Sequence, residues 1–312
     1  MKIIRCNDEI PVIEKSVLSI GNFDGVHNGH KFLINKVGER AQFHNATSVI
    51  ITFEPHTRAF LKPDQTPPRL TTFDEKALIV RNFTIDYLIC IPFNKQLADL
   101  SPEAFIHDIL IKRFKAVEWV MGENHMFGKD RKGDYKFLHH VADKNHFSVV
   151  TIGLHADNKG AIASSTQIRT LIGESRIDEA VSVLGHPYPI IAERIRGMRK
   201  GFELGYPTLN FKCPSSDKVI PPPGVYAADV EFRDIKLSGA LYFGNCPTFE
   251  NRDYHFEFHS LDTIEYDPGI NTEVAIWLHT FIRTDMTFTA EGQLVKQIKK
   301  DIDLIKHFFN KE

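Results

Sequence analysis

The first half of the chain alternates short apolar, β-branched runs with longer stretches whose apolar positions recur at helical spacing. This alternation is typical of a parallel sheet with crossover helices. We therefore predict a doubly wound α/β domain with a parallel sheet, whose ligands bind beyond the carboxyl ends of the strands. The predicted strands are 17–20, 48–53, 86–91, 117–121 and 147–152. The predicted helices are 31–40, 73–83, 102–114 and 135–143, with Ser101 and Pro102 starting the third.

The second half has a different pattern, in which apolar and polar residues alternate along extended segments. Residues 154–163 have no amphipathic period and predict a loop, and residues 165–185 predict two short helices. Pro187 and Pro189 mark a boundary, so we expect domains of residues 1–185 and 186–312. The second domain is predicted to be a small antiparallel β-barrel followed by a C-terminal helix. Its predicted elements are strands at 224–232, 237–243, 254–261 and 272–282 and a helix at 289–309.

Composition narrows the class of protein. The 312 residues include 38 Lys and Arg against 40 Asp and Glu, so no global field attracts nucleic acid or an anionic membrane, and we expect neither as a partner. The N-terminus lacks an apolar signal core and no apolar run approaches the ~20 residues of a membrane span. We expect a cytoplasmic monomer or weak homo-oligomer. The four dispersed cysteines predict mostly buried free thiols rather than zinc sites or disulfides: Cys6, Cys90, Cys213 and Cys246.

A glycine-rich decamer, residues 21–30, follows the first predicted strand. Its three glycines allow backbone conformations closed to other residues, and the helix beginning near His30 presents free N–H groups to phosphate. His27 and His30 can both aim donors at one phosphate and stabilise charge that grows during substitution. The pattern alone is equally compatible with a tight turn carrying surface histidines. Two histidines can also ligate zinc, although a third ligand is not evident nearby.

The decamer Gly-Asn-Phe-Asp-Gly-Val-His-Asn-Gly-His resembles the nucleotidyltransferase signature, in the form typical of bacterial FAD synthetases, which are bifunctional riboflavin kinase and FMN adenylyltransferase proteins. Residues 164–169 are similar to the second phosphate motif of that superfamily, although Ser-Ser-Thr alone is simply a good helix cap. The resemblance implies catalytic roles for His27 and His30. It also implies nucleotide binding by the rest of both motifs, namely Gly21, Asn22, Phe23, Asp24, Gly25, Gly29, Ser164, Ser165, Thr166 and Arg169.

Similar blocks occur at 53–56, 69–72, 92–94 and 122–134. In the last of these the resemblance implies flavin binding by Asn124 and Phe127. His125 and Met126 depart from the family, which more often has an aromatic and a variable residue there.

The second half carries a second resemblance. Residues 205–210, Gly-Tyr-Pro-Thr-Leu-Asn, are similar to the riboflavin kinase signature Gly-Phe-Pro-Thr-Ala-Asn. This implies nucleotide binding by Gly205, Thr208 and Asn210, and Mg²⁺ binding by Thr208 and Asn210, whose oxygens suit that hard cation. The basic, glycine-punctuated stretch 194–201 fits phosphates, although charge runs usually mark solvated surface.

Alternation around residues 254–259 places His255, Glu257 and His259 on one face of a predicted strand. The hexamer that begins at Glu257 is similar to Glu-Val-His-Leu-Leu-Asp of riboflavin kinases. In that family the glutamate removes a proton from riboflavin, which implies that Glu257 is catalytic. The position of Glu257 on this face of the strand is, by itself, equally compatible with a solvated glutamate that has no catalytic role.

The resemblance implies FAD biosynthesis with ATP as co-substrate and Mg²⁺ as cofactor. Riboflavin is phosphorylated to FMN, and FMN then accepts an adenylyl group from ATP to give FAD and pyrophosphate. Cys246 replaces an arginine that is usual in the family, and residues 266–271 also differ. One alternative is therefore a monofunctional FMN adenylyltransferase whose barrel binds flavin or regulates. The others are a flavin-sensing protein without turnover, and adenylyl or cytidylyl transfer to another acceptor.

Overall fold

A computed structural model of the chain describes residues 1–153, 163–197, 200–214, 217–244, 255–262 and 267–310. The chain forms two compact units, the first from residues 1–67 and 72–164 and the second from residues 68–71 and 165–312. The first unit contains a parallel sheet and the second a closed barrel, so the predicted architecture is confirmed. The predicted loop at 154–163 lies almost entirely outside the described residues, as does Cys246.

The sheet of the first unit has six strands, and every neighbouring pair is parallel. They are β1 (Lys2–Ile4), β2 (Ser16–Ile20), β3 (Thr47–Glu54), β4 (Tyr87–Pro92), β5 (Ala116–Gly122) and β6 (Ser148–Ile152). Their order across the sheet is β1-β4-β3-β2-β5-β6. β2 is buried at every position, as expected for a parallel strand covered on both faces. Five of the strands match the predictions, whereas β1 is too short to give a pattern.

Four helices of the first unit begin close to the predicted positions, whereas the short helices α2 and α4 were not predicted. They are α1 (Asn28–His44), α2 (Thr57–Leu61), α3 (Phe73–Val80), α4 (Lys95–Ala98), α5 (Pro102–Phe105) and α6 (Tyr135–Ala142), with short 3₁₀ turns at Pro63–Gln65, Lys129–Arg131 and Asp143–Asn145. The Ser101 hydroxyl accepts a hydrogen bond from the Ala104 N–H, which is the predicted N-cap of α5. The predicted helix at 102–114 continues beyond α5 as a π-helix over Ile106–Arg113.

Six antiparallel strands of the second unit close into a barrel. They are β7 (Tyr188–Ile195), β8 (Leu209–Lys212), β9 (Gly224–Phe232), β10 (Ile235–Gly244), β11 (His255–Ser260) and β12 (Glu273–Thr284), in the order β10-β11-β8-β7-β12-β9. The helices are α7 (Ser165–Gly173), α8 (Ile177–Leu184), α9 (Lys200–Glu203) and α10 (Glu291–Phe309). Within the described ranges, no helix is long and apolar enough to cross a membrane.

Helices α7 and α8 share the hydrophobic core of the barrel. Ile168, Ile172 and Leu184 are fully buried in one cluster with barrel side chains such as Phe211. The second compact unit therefore starts before residue 186. The predicted boundary at 185/186 concerns which residues carry each activity, and it stays a prediction.

Alternation along β11 separates an apolar face from a polar one. Phe256 and Phe258 are fully buried in the barrel core, so the intervening Glu257 points to the opposite face, as the sequence predicts. The barrel strand β7 was missed because Pro187 and Pro189 indicated a boundary. Pro189 in fact lies near the start of β7, where the lost N–H is tolerated.

The expectation of free thiols is wrong for Cys6 and Cys90, which form a disulfide. The reason is topological. β1 pairs in parallel with β4, and this pairing brings the two Cα atoms within 4.8 Å although the residues are 84 positions apart. Cys213 is a half-buried free thiol, and burial raises its pKa.

Asp229 of β9 is a buried carboxylate held by three side chains. Ser238 Oγ lies 2.6 Å from Oδ1, while Lys236 Nζ at 2.8 Å and His279 Nε2 at 2.7 Å contact Oδ2. Burial opposes ionisation, but the hydrogen bonds from His279, Lys236 and Ser238 outweigh it and hold the pKa of Asp229 below its ordinary value. Such a group stabilises the fold above its unfolded pKa, and that stabilisation is lost as the pH falls through the folded pKa.

Asp229→Asn is expected to lower the free energy of unfolding by about 3 kcal/mol near neutral pH, the usual cost of removing one partner from a buried ion pair. The difference between wild type and variant should shrink as the pH falls below about 4, the ordinary pKa of an aspartate, because the unfolded wild-type chain then takes up a proton that the native carboxylate does not yet bind. Urea denaturation across this pH range measures both effects. Asp303→Asn changes an exposed carboxylate on α10 and is the matched control. A loss that does not depend on pH would contradict this account.

Candidate active sites

Residues 21–30 form a strained loop between β2 and the first turn of α1. Gly25 has φ +83°, and Phe23 and Val26 also lie in the left-handed region, with φ +47° and +42°. A β-branched residue in that region is an outlier that its surroundings must enforce, and such strain is concentrated at functional sites. Phe23 and Val26 are both buried, so packing holds the conformation.

The three glycines of this loop have different physical roles. Of the three, Gly25 alone uses the conformational freedom of glycine, because it alone has a left-handed φ. A Cβ on Gly29 would lie 3.3 Å from the His27 ring, and one on Gly21 would lie 3.4 Å from the Phe23 ring. Gly29 therefore lets the His27 ring approach the main chain closely.

The two histidines of the loop lie together at the start of α1. His27 immediately precedes the helix and His30 is in its first turn. Their rings are stacked, with centroids 3.7 Å apart and planes inclined by 19°. Burial, together with the charges of His27 and Lys76, holds the pKa of His30 well below its ordinary value, so this ring is neutral near pH 7. The pair stands at the positive end of a helix dipole, which favours phosphate.

A chain of hydrogen bonds connects the loop to a buried lysine. Lys76 of α3 donates to Thr52 Oγ1 at 3.1 Å, and the Thr52 hydroxyl donates to the Asn22 carbonyl at 3.2 Å. The Asn22 side chain donates to Thr57 Oγ1 at 2.9 Å and accepts from the Thr57 N–H at 3.3 Å. Asn22 is therefore an anchor of the loop, and Lys76 supplies a positive charge near His30.

The two residues proposed to bind flavin have different surroundings. Asn124 is exposed beyond the carboxyl end of β5. Phe127 is buried, with its ring 5.0 Å from that of Trp119, and its backbone pairs with Gly133. The neighbouring His125 ring packs edge-on against Trp119, and burial lowers the pKa of His125 to about 4. His125 is thus a neutral ring near pH 7.

The second phosphate motif lies at the start of α7. Ser164 ends the first unit, and Ser165 begins both the helix and the larger part of the second unit. Thr166 and Arg169 follow within the first two turns, and Arg169 Nε donates to the Pro68 carbonyl at 2.6 Å. This hydrogen bond orients the guanidinium relative to the helix.

Thr208 and Asn210 are in contact at the start of β8. Asn210 Nδ2 lies 3.3 Å from Thr208 Oγ1, and the Asn210 side chain is almost completely buried. Gly205 has φ +84° in the turn after α9, a conformation that favours glycine. A hydroxyl and an amide oxygen fit Mg²⁺, which binds oxygen and keeps several waters. No cluster of three His, Cys, Asp or Glu side chains suited to a metal occurs in the described part of the chain.

Gly197, beyond the end of β7, packs directly against the side chain of Asn210. A Cβ at this position would come within 2.4 Å of Asn210 Nδ2 and 2.6 Å of its Cγ. An alanine methyl group therefore cannot fit unless the Asn210 amide moves.

If Asn210 binds Mg²⁺ for phosphorylation of riboflavin, as the resemblance implies, Gly197→Ala is expected to lower kcat/KM for that reaction at least tenfold, roughly what displacing a positioned ligand by a fraction of an ångström costs. FAD formation from FMN should stay within about twofold of wild type. Steady-state assays of both reactions measure the effect. Gly292→Ala is the matched control, because a Cβ on Gly292 meets no atom within 4 Å. Equal kcat/KM values for Gly197→Ala and the control would contradict the role of Gly197.

Glu257 lies on the strand next to Asn210. On neighbouring strands Glu257 of β11 is directly opposite Asn210 of β8, a position at which side chains on the same face lie about 5 Å apart. The His255 ring lies 3.0 Å from the Glu257 carboxylate, and His259 Nδ1 lies 2.9 Å from the Pro207 carbonyl. The structure thus brings Glu257 and Asn210 to one face of the barrel.

Sequence reasoning missed the supporting residues Lys76, Gly197 and His255. Alternation placed His255 on the face of Glu257, which was a usable signal. Lys76 lies in an ordinary amphipathic helix and Gly197 in a basic loop. The sequence around these two residues therefore does not indicate which side chains they contact.

Comparisons with known proteins match both halves of the chain. The FAD synthetase family model matches residues 9–166 and the riboflavin kinase family model matches residues 184–309. A bifunctional riboflavin kinase/FMN adenylyltransferase from Buchnera aphidicola subsp. Schizaphis graminum is 34% identical over 317 residues, covering 99% of each chain. The protein of the same name from Escherichia coli K12 is 31% identical over 297 residues, covering 95% of this chain and 93% of its own.

A similar solved structure is the crystal structure of a Streptococcus pneumoniae protein described as a macrolide-efflux protein. It is 28% identical, has a TM-score of 0.79, and is matched over 97% of its length by 96% of this chain. The match therefore extends over both units.

Proposed function

Because this chain belongs to the family of bifunctional riboflavin kinase/FMN adenylyltransferases, we propose that phosphorylation of riboflavin and adenylyl transfer to FMN take place at two separate groups of the residues described above. The chain is an enzyme of FAD biosynthesis from riboflavin. The observation that most strongly supports the assignment of residues is the stacked pair His27 and His30 at the start of a helix, because adenylyl transfer requires positioned donors at a phosphate.

In the barrel, riboflavin accepts the γ-phosphoryl group of ATP. Glu257 takes the proton of the ribityl hydroxyl, the hydroxyl oxygen bonds to the γ-phosphorus, and the bond from that phosphorus to ADP breaks. Gly205 gives the nucleotide close access to the main chain. The glutamate, on the strand next to Asn210, supports this assignment.

At the loop of residues 21–30, a phosphate oxygen of FMN attacks the α-phosphorus of ATP, and pyrophosphate leaves. His27 and His30 donate hydrogen bonds to the phosphate oxygens on which charge accumulates. The remaining residues of the loop bind the nucleotide, and Ser164, Ser165, Thr166 and Arg169 hold the departing pyrophosphate. Asn124 and Phe127 contribute to flavin binding.

We propose Mg²⁺ as the cofactor and ATP as the co-substrate of both reactions. In the barrel, Thr208 and Asn210 hold the cation through their side-chain oxygens, a donor set that fits its preference. When bound, Mg²⁺ offsets phosphate charge that would otherwise repel the nucleophile.

We also propose a cytoplasmic enzyme that acts on small molecules as a monomer or weak homo-oligomer, without nucleic acid or membrane partners. The near balance of charge, 38 basic against 40 acidic residues, supports the part of this proposal that concerns nucleic acid and membranes. Light scattering after size-exclusion chromatography measures the oligomeric state.

Tracing of labelled ATP tests the proposed pair of reactions. With riboflavin and Mg²⁺, label in the γ-phosphate should appear in FMN and be retained in FAD. Label in the α-phosphate should appear in FAD and not in FMN. Chelation of the cation should stop both transfers, and added Mg²⁺ should restore them. Unlabelled FMN in the first experiment would refute phosphoryl transfer, and unlabelled FAD in the second would refute adenylyl transfer.

A further inference from the structure

Glu257 has a histidine partner on its own strand. His255 and Glu257 are two residues apart on β11, so their side chains share a face. His255 Nε2 lies 3.0 Å from Glu257 Oε1. The His255 side chain is only 10% exposed, and that of Glu257 is 24% exposed. A hydrogen bond in such surroundings is stronger than one in open water.

The chemistry of the pair fixes the direction of this hydrogen bond. An ionised carboxylate can only accept, so Nε2 must carry the hydrogen and donate it to Oε1. The imidazole therefore constrains one oxygen of Glu257. A glutamate side chain has several rotatable bonds, and ordering them for catalysis costs conformational entropy, so this hydrogen bond helps to hold the carboxylate in place.

The neighbouring strands hold both residues in register. Asn210 of β8 is opposite Glu257, and the next position but one, Lys212, is opposite His255. On the other side, Gly244 of β10 is opposite His255. The backbone of His255 is thus paired on both sides, while its ring contacts the carboxylate.

We propose that His255 is a positioning residue for the phosphorylation of riboflavin, a role that rests on the proposed function of Glu257 as the base. His255 holds Oε1, and Oε2 takes the proton of the ribityl hydroxyl as its oxygen bonds to the γ-phosphorus and ADP leaves. A general base must lie within about 2.6–3.2 Å of the proton donor, so a carboxylate held in place reaches this geometry more often. His255 acts through Glu257 and takes up no proton itself.

Two substitutions of His255 distinguish a role in positioning Glu257 from a purely structural role. His255→Leu removes the donor, whereas His255→Gln retains an N–H donor near the place of Nε2. His255→Leu should lower kcat for FMN formation about tenfold or more with KM for riboflavin within about twofold, and His255→Gln should recover most of that kcat. A retained KM for riboflavin reports that the barrel is folded, and FAD formation from supplied FMN, measured on the same preparations, reports that the other reaction centre is intact.

The double variant His255→Leu with Glu257→Gln completes the test. It should be no slower in FMN formation than Glu257→Gln alone, because His255 acts only through that carboxylate. An unchanged kcat in His255→Leu, a loss confined to KM, or equal losses in the Leu and Gln variants would overturn the proposal. If Glu257→Gln itself retains full activity, the proposed base is wrong, and this outcome is distinct from a failure of His255 alone.

Discussion

Replacing His27 or His30 with alanine is expected to lower kcat for FAD formation from FMN by about 10²–10³-fold, the usual cost of removing a donor to a developing charge. FMN formation from riboflavin should remain within about twofold, because Glu257 and Asn210 lie in the barrel. Binding of ATP and FMN should change less than turnover, since a donor aimed at accumulating charge contributes most in the transition state.

The geometry of the pair predicts that neither histidine can replace the other. The rings are stacked 3.7 Å apart, so each presents its donor from a different point at the helix start. His30 is neutral near pH 7 and therefore donates through only one nitrogen. We expect the double alanine variant to be less than additively impaired, because residues that act as a unit do not contribute independently.

The matched control for this prediction is His140→Ala, which removes an exposed histidine from α6 of the same unit. Single-turnover assays with FMN in excess of its KM measure the chemical step directly. Unchanged turnover in both single variants would contradict the role of the histidine pair. A loss of nucleotide binding equal to the loss of turnover would contradict a role specific to the transition state.

Glu257→Gln should lower kcat for FMN formation by about 10²–10⁴-fold, the range attributed to a general base. Glutamine has nearly the same shape and can still interact with neighbouring polar groups, but its amide cannot take a proton at neutral pH. FAD formation from supplied FMN should be unaffected. The measurement is the initial rate of FMN release with riboflavin, ATP and Mg²⁺.

Glu273→Gln is the control for the base, because Glu273 is an exposed carboxylate on β12 of the same barrel. It should leave FMN formation unchanged. Wild-type rates in Glu257→Gln would remove the base from the mechanism and leave only positioning of the two substrates.

The alternation of apolar runs and helical stretches was sufficient to predict the parallel sheet and the barrel. β1 was not predicted because it has only three residues, and β7 was not predicted because Pro189 near its start indicated a domain boundary. The disulfide between Cys6 and Cys90 depends on the pairing of two strands remote in sequence, which no spacing of cysteines shows.

The candidate sites, like the fold, could be predicted only in part from the sequence. The loop residues could be selected from the sequence because glycine, histidine and a helix start combine within ten positions. The stack of His27 on His30, the neutral state of His30 and its proximity to Lys76 depend on burial and on helix α3. Likewise, alternation predicted the face of Glu257, while its position opposite Asn210 required the register of β8 and β11.

The most direct test of the central claim, that one chain contains two separate reaction centres, is chromatographic product analysis of the His27→Ala and Glu257→Gln variants. Each is supplied with ATP and Mg²⁺, first with riboflavin and then with FMN. We predict that His27→Ala accumulates FMN from riboflavin and makes little FAD from either substrate, whereas Glu257→Gln makes FAD from FMN but little FMN from riboflavin. Loss of both products in either variant, or FAD formed only from supplied FMN by the wild type, would contradict the account.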